Sequence, residues 1–161
     1  RGYNWLDTLS HEYVHYLLTQ KSGNKVPLWL HEGLAKFFES RWRGSNEPLT
    51  PLMETVLAKG LKENYFIGLD QMMPSLAKLK TAEDVQLAYA EVSSMVEYMV
   101  EQKGDQIISQ IVEDLRNNLS ITKKPDLQVK LHSNRNHHFL VLVKVHYTHK
   151  IYFPVYLHKP Y

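Results

Sequence analysis

The sequence predicts a mainly helical domain with a small β appendage at its C-terminus, and three observations carry that expectation. Residues 1–117 hold apolar stripes at helical spacing, punctuated by capping and stop signals. Residues 118–161 instead contain HFLVLVKVHYTHKIYFPVYL, a β-branched and aromatic run in which Phe139, Val141, Val143, Val145 and Tyr147 alternate with Leu140, Leu142, Lys144 and His146. The charge divides at the same place: 12 Lys and Arg face 16 Asp and Glu up to Asn117, whereas 7 face 1 beyond it. A formal net charge of +2 therefore conceals an acidic helical part and a basic tail that holds six of the nine histidines.

Each element follows from local signals. Asp7 or Thr8 is placed to cap a first helix running to about Gln20, and the turn Lys21-Ser-Gly-Asn-Lys-Val ends it. Pro27 suits the first turn of a second helix, whose stripe is Leu30, Leu34, Phe37 and Phe38. Thr50-Pro51 repeats the start signal, with Gly60 as the expected stop. Gly68 and Pro74 interrupt the pattern between Glu63 and Lys80. Thr81 and Asp84 resemble a capping box opening a helix through Tyr89, Met95, Val96 and Met99 to Gly104, and a last helix from Asp105 to about Asn117 turns Ile107, Ile108, Ile111 and Leu115 inward. In the tail, Pro154 confines the second half of a hairpin to a sheet edge.

Composition bounds the function. At 161 residues with 43% hydrophobic and 22% charged, the chain reads as one globular domain with a core. No apolar run reaches bilayer length, so no transmembrane segment is expected, and RGYNWLDTL lacks a signal peptide's apolar stretch. Residue 1 is Arg rather than Met, so any targeting segment there was would have been lost upstream, and the compartment is unreadable. With no cysteine, disulfides and thiolate sites are excluded, and any metal must sit on His, Asp or Glu.

The motif that carries chemistry is LSHEYVHYL at residues 9–17. Residues four apart on a helix stand one above the other, about 6 Å along the axis, so His11 and His15 are able to aim two imidazoles at one ion. Zinc accepts neutral imidazole, and a catalytic site uses three protein ligands and leaves a fourth position open. Glu12 lies about 100° further round the helix, displaced from the ligand face but within reach of a water there as a general base. On this motif alone a zinc site and two surface histidines both stand. A third ligand from a neighbouring helix decides, and PLWLHEGLAKFFES supplies one, because Glu32, Ala35 and Glu39 share a face away from the Leu30, Leu34 and Phe38 stripe. Ala35 is small enough for close helix approach. Glu39 either accepts the second nitrogen proton of a ligand histidine or is a solvated carboxylate.

HEYVH followed by WLHEGLAKFFE resembles the gluzincin metallopeptidases, the thermolysin-like zincins, and in particular peptidase MA-like domains and M1-type aminopeptidases, whose second element runs W-L-x-E-G-x-A. LAYAEVSSMVEYMVEQKGDQIISQIVEDL is similar to the later helices of the MA-like domains, so the resemblance spans about residues 5–117. It implies a zincin-like helical half of a catalytic domain over 1–117, one Zn2+ per chain held by His11, His15 and Glu32, Glu12 as catalytic base, and a peptide or protein substrate. It also implies an electrophile facing the developing oxyanion, for which Tyr89 is the candidate; a core aromatic is its other reading. His31 is expected at the pocket wall or in solvent rather than as a ligand.

Two features depart from the family. Only ten residues precede His11, whereas gluzincins place there a small sheet whose edge strand holds the substrate backbone, so the chain reads as an incomplete or excised domain. The glycine-rich exopeptidase segment would also lie upstream, and nothing supports aminopeptidase specificity. The second departure is the basic, histidine-rich tail. His146 and His149 face opposite sides of a strand, as do His137 and His138, which argues against a second metal site. Tyrosines interleaved with lysines describe an ordinary amphipathic strand, and no nucleic-acid partner is expected. So apolar a strand is expected to pair, with the missing sheet or by self-association with a second chain. Asn118-Leu-Ser is an N-glycosylation sequon by pattern, and a chance match is the expectation. The reading is a zinc-dependent peptidase; its rivals are a catalytically inactive zincin-like scaffold and a metal-free helical interaction module.

Overall fold

The computed structural model describes residues 5–45 and 47–118; from 119 on it describes only the backbone of four strand segments, 128–133, 139–146, 150–153 and 156–157. The β appendage expected over 118–161 lies in this tail, partly outside the described residues. The body is five helices, α1 (Trp5–Ser22), α2 (Leu28–Phe38), α3 (Pro51–Glu63), α4 (Ala82–Lys103) and α5 (Gln106–Arg116), with single 3-10 turns at Arg41–Arg43 and Leu76–Lys78. No helix among the described residues is long and apolar enough to cross a membrane.

The caps form as the residue types require. Thr50 Oγ1 accepts from the Met53 amide at 3.3 Å and Thr81 Oγ1 from the Asp84 amide at 3.0 Å, each satisfying a donor that the first helical turn leaves unpaired. Gly104 ends α4 with φ +77°, a conformation that costs a residue without Cβ nothing. Two boundaries differ from expectation. First, α1 begins at Trp5, so Asp7 lies inside its first turn and accepts instead from Trp42 Nε1 at 2.7 Å and from the Arg43 guanidinium. Second, α3 runs past Gly60 to Glu63 and stops at Asn64, whose φ of +52° is the left-handed conformation that asparagine tolerates. Gly60 is there for packing: a Cβ would stand 2.8 Å from the Tyr65 carbonyl and 3.2 Å from Leu87 Cδ1.

The α2 stripe makes the centre of the core, with Leu30, Leu34 and Phe37 each 2% exposed or less. Every such side chain contributes about 1.5–3 kcal/mol by leaving water. Helix α2 lies between α1 and α4; α3 packs on α4, and α5 crosses α1 and α4. At Gly33 α2 approaches α4 too closely for a side chain, because an added Cβ would sit 2.6 Å from the Val92 carbonyl oxygen. Helices α1 and α2 run antiparallel, as successive pairs show: Asp7 with Trp42 and Arg43, Ser10 Oγ on the Phe38 carbonyl at 3.3 Å, His11 with Glu39, His15 with His31. That register places one ligand-bearing face against the other.

Candidate metal centre

His11 and His15 project from α1 one turn apart, their ring centroids 4.7 Å from each other, and Glu32 faces them from the first turns of α2. The Nε2 atoms of both histidines point at the same carboxylate oxygen, Glu32 Oε2, at 3.6 Å for His11 and 3.7 Å for His15. All three ligand atoms lie within 4.8 Å of one another. Two donors each at zinc bonding distance in a tetrahedron stand about 3.4 Å apart. The Nε2 to Oε2 spacings come within a few tenths of an ångström of that value, and a set of two imidazoles and a carboxylate is chemistry that zinc accepts. The donor set fits the ion.

The outer nitrogens are engaged as well. His11 Nδ1 lies 3.2 Å from Glu39 Oε2, and Glu39 is also paired with Lys36. His15 Nδ1 lies 2.6 Å from His31 Nδ1. Tyr89, half-buried on α4, is near enough to Glu32 for each to bear on the other's titration. Glu12 stands exposed on α1, and its charge is felt at His15 and Tyr89. Leu9, Tyr13 and Tyr16 around it are also exposed, each by more than half.

The titration of these groups shows how they lean on one another. Burial pulls His11 down, but hydrogen bonds and charge from Glu32 and Glu39 outweigh it and raise the imidazole to about 9. His15 goes the other way: burial and the charge of His11 lower it, with Glu32 offsetting only part. His31 is likewise lowered, by burial and then by His15. Burial favours the neutral form of Glu32 and Glu39, yet both are held below the usual carboxylate range, Glu32 chiefly by His11 and His15 and Glu39 by His11 and Lys36. Burial pushes Tyr89 up to about 12, helped by Glu32.

A family model of the peptidase MA superfamily matches residues 4–126, which is 123 of the 161. The chain belongs to the peptidase MA superfamily. Neither the curated proteins nor the solved structures contain a match to it. Membership supports a peptidase-like enzyme of a superfamily that is typically metal-dependent, and the helical body is consistent with this superfamily's helical part.

In this peptidase MA chain the residues singled out from sequence, His11, His15, Glu32, Glu39 and Tyr89, are brought together, with Glu12 on the adjoining exposed surface. His31 is half-buried against a candidate ligand rather than in solvent. Sequence reasoning did not assign it that contact, nor Lys36 its place behind Glu39. The only signal was position: Lys36 precedes Glu39 by three, one helical turn, whereas nothing local connects His31 with His15. Of the tail histidines, His132 and His146 fall on described strand backbone, and His137, His138, His149 and His158 lie outside the described residues.

Proposed function

We propose that the protein is a zinc-dependent peptidase in which His11, His15 and Glu32 hold the ion and Glu12 is the general base. The observation that carries this is the convergence of two Nε2 atoms on one Glu32 oxygen at zinc spacing, with Glu12 next to His11 in sequence and outside the ligand set. Zinc in such a site supplies Lewis acidity toward the scissile carbonyl and acidifies water towards neutrality. Glu12 takes the proton of the attacking water and hands it to the leaving amine. Tyr89, protonated throughout the working range because its pKa is raised to about 12, turns its hydroxyl from Glu32 to the developing oxyanion. Glu39 accepts the His11 Nδ1 proton and so keeps the Nε2 lone pair aimed inward.

One observation favours a second reading, a zinc-binding scaffold without catalysis: Glu12 and its neighbours Leu9, Tyr13 and Tyr16 are exposed, and hydrolytic sites exclude bulk water. Elemental analysis and peptide-library cleavage separate the two. The peptidase carries about one zinc per chain and cleaves peptides, and Glu12→Gln keeps the zinc while hydrolysis falls by about 10²–10⁴-fold. Zinc without cleavage selects the scaffold, and no zinc ends both readings. We further propose that residues 118–161 are a basic β appendage accessory to the helical domain, available for pairing with a second chain.

A further inference from the structure

His31 stands outside the three candidate ligands, yet it makes the shortest polar contact that either ligand histidine has, Nδ1 to Nδ1 at 2.6 Å with His15. The two rings are tilted by only 23° and their centroids are 4.8 Å apart. That separation exceeds the nitrogen separation by 2.2 Å, about the width of one imidazole ring, so the rings lie end to end and nearly coplanar, joined along an N–H···N line. Such a contact accommodates one proton: one nitrogen donates and the other accepts. His15 presents Nε2 to Glu32 and the ion's place, so its lone pair is needed there and its proton sits on Nδ1. His31 Nδ1 is then the acceptor, and its own proton is on Nε2.

We propose that His31 is the positioning residue for His15, an imidazole acceptor doing for the second ligand what the Glu39 carboxylate does for the first. The inference rests on the zinc reading above. It gives the site an asymmetry with a chemical sense. A carboxylate behind His11 makes that imidazole strongly electron-rich, whereas a neutral acceptor behind His15 orients it without adding a second negative charge beside Glu32. The two supports also come from opposite ends of the α1–α2 contact, Glu39 at the C-terminal end of α2 and His31 in its first turn. Together they fix both rings against rotation about their Cβ–Cγ bonds.

The test is zinc affinity, measured by competition with a chromophoric chelator on wild type, His31→Ala and His31→Asn, with far-UV circular dichroism as the check of folding. Asparagine offers a carbonyl oxygen near the place of Nδ1 and restores an acceptor. Binding weaker by about 10–100-fold in His31→Ala and largely recovered in His31→Asn is the expected result. Nitrogen-15 NMR of the zinc-loaded protein should show the His15 Nδ1 proton protected from exchange in wild type and His31→Asn, and fast-exchanging in His31→Ala. If wild type binds zinc and His31→Ala binds as tightly, the inference is overturned and the zinc reading stands. Equal weakening in both variants also overturns it, since that marks loss of bulk rather than of an acceptor. A wild type that binds no zinc removes the zinc reading and the inference together.

Discussion

Gly33→Ala sets two calculable effects against each other. Alanine in a helix interior is favoured over glycine by roughly 0.5–1 kcal/mol, so on propensity alone the variant would be more stable. The structure opposes this. The new methyl would lie 2.6 Å from the Val92 oxygen, 3.1 Å from the Val92 carbonyl carbon and 3.0 Å from Val96 Cγ2, and two of those three atoms are backbone that no rotamer change moves. Restoring an ordinary contact requires α2 and α4 to part by roughly 0.8 Å, in a core whose packing leaves no slack. Overpacking of this kind costs about 1–3 kcal/mol, which exceeds the propensity gain. The middle of the two ranges gives an expected net loss of about 1 kcal/mol, with about 2.5 kcal/mol as the upper end, a fall in Tm of roughly 2–4 °C and at most about 10 °C for a chain of this size. Because Gly33 adjoins Glu32, and Tyr89 on α4 is near enough to act on Glu32, the same displacement should loosen the candidate centre and weaken zinc binding. Thermal unfolding followed by circular dichroism, with a zinc titration on the same samples, measures both. A Tm equal to or above wild type would refute the close-approach argument.

Further outcomes are open to measurement. Tyr89→Phe should retain zinc and KM while kcat falls by about 10²–10³-fold, the loss expected for one oxyanion donor; an unchanged kcat would assign Tyr89 to packing alone. Glu91 is buried on α4, accepts from the Ile67 amide at 3.1 Å and is pushed by burial to about 8. The native state therefore keeps a proton that the unfolded chain releases near pH 4.5, so stability should fall as pH rises between about 5 and 8, by at most about 1.4 kcal/mol per pH unit from this group. Urea midpoints across that range should flatten in Glu91→Gln, and an identical slope in the variant would exclude Glu91 as the source. Removing residues 128–161, beyond the end of the family match at 126, should leave a folded, zinc-binding helical body if the tail is accessory; a chain that no longer folds would show the tail to be integral.

Most of the helical body was legible because its signals are local. The Thr50 and Thr81 hydroxyls cap the helices that follow them, Gly104 ends α4, and the Leu30, Leu34 and Phe37 stripe is buried. Asp7 and Gly60 misled for a shared reason. Each has a local role as cap or stop that its residue type allows, and each is used instead for packing or bonding beyond its own helix, Asp7 with Trp42 and Arg43, Gly60 against the Tyr65 carbonyl just past the helix end and Leu87 on α4. Tertiary contact overrides propensity at such positions because one packed or hydrogen-bonded partner is worth as much as the local preference.

The sequence by itself determined that His11 and His15 share a helix face with Glu12 set to one side, since 3.6 residues per turn admits no other arrangement once the segment is helical. It also placed Glu32, Ala35 and Glu39 on a single face of the next helix. Only the tertiary structure decided which nitrogen each histidine turns to Glu32, that Glu39 lies behind His11, and that His31 lies behind His15. Those choices depend on the antiparallel register of α1 on α2 and on the depth to which Gly33 lets α2 settle against α4. They are set by the packing of whole helices, a sum of many distant contacts, and no local spacing encodes them.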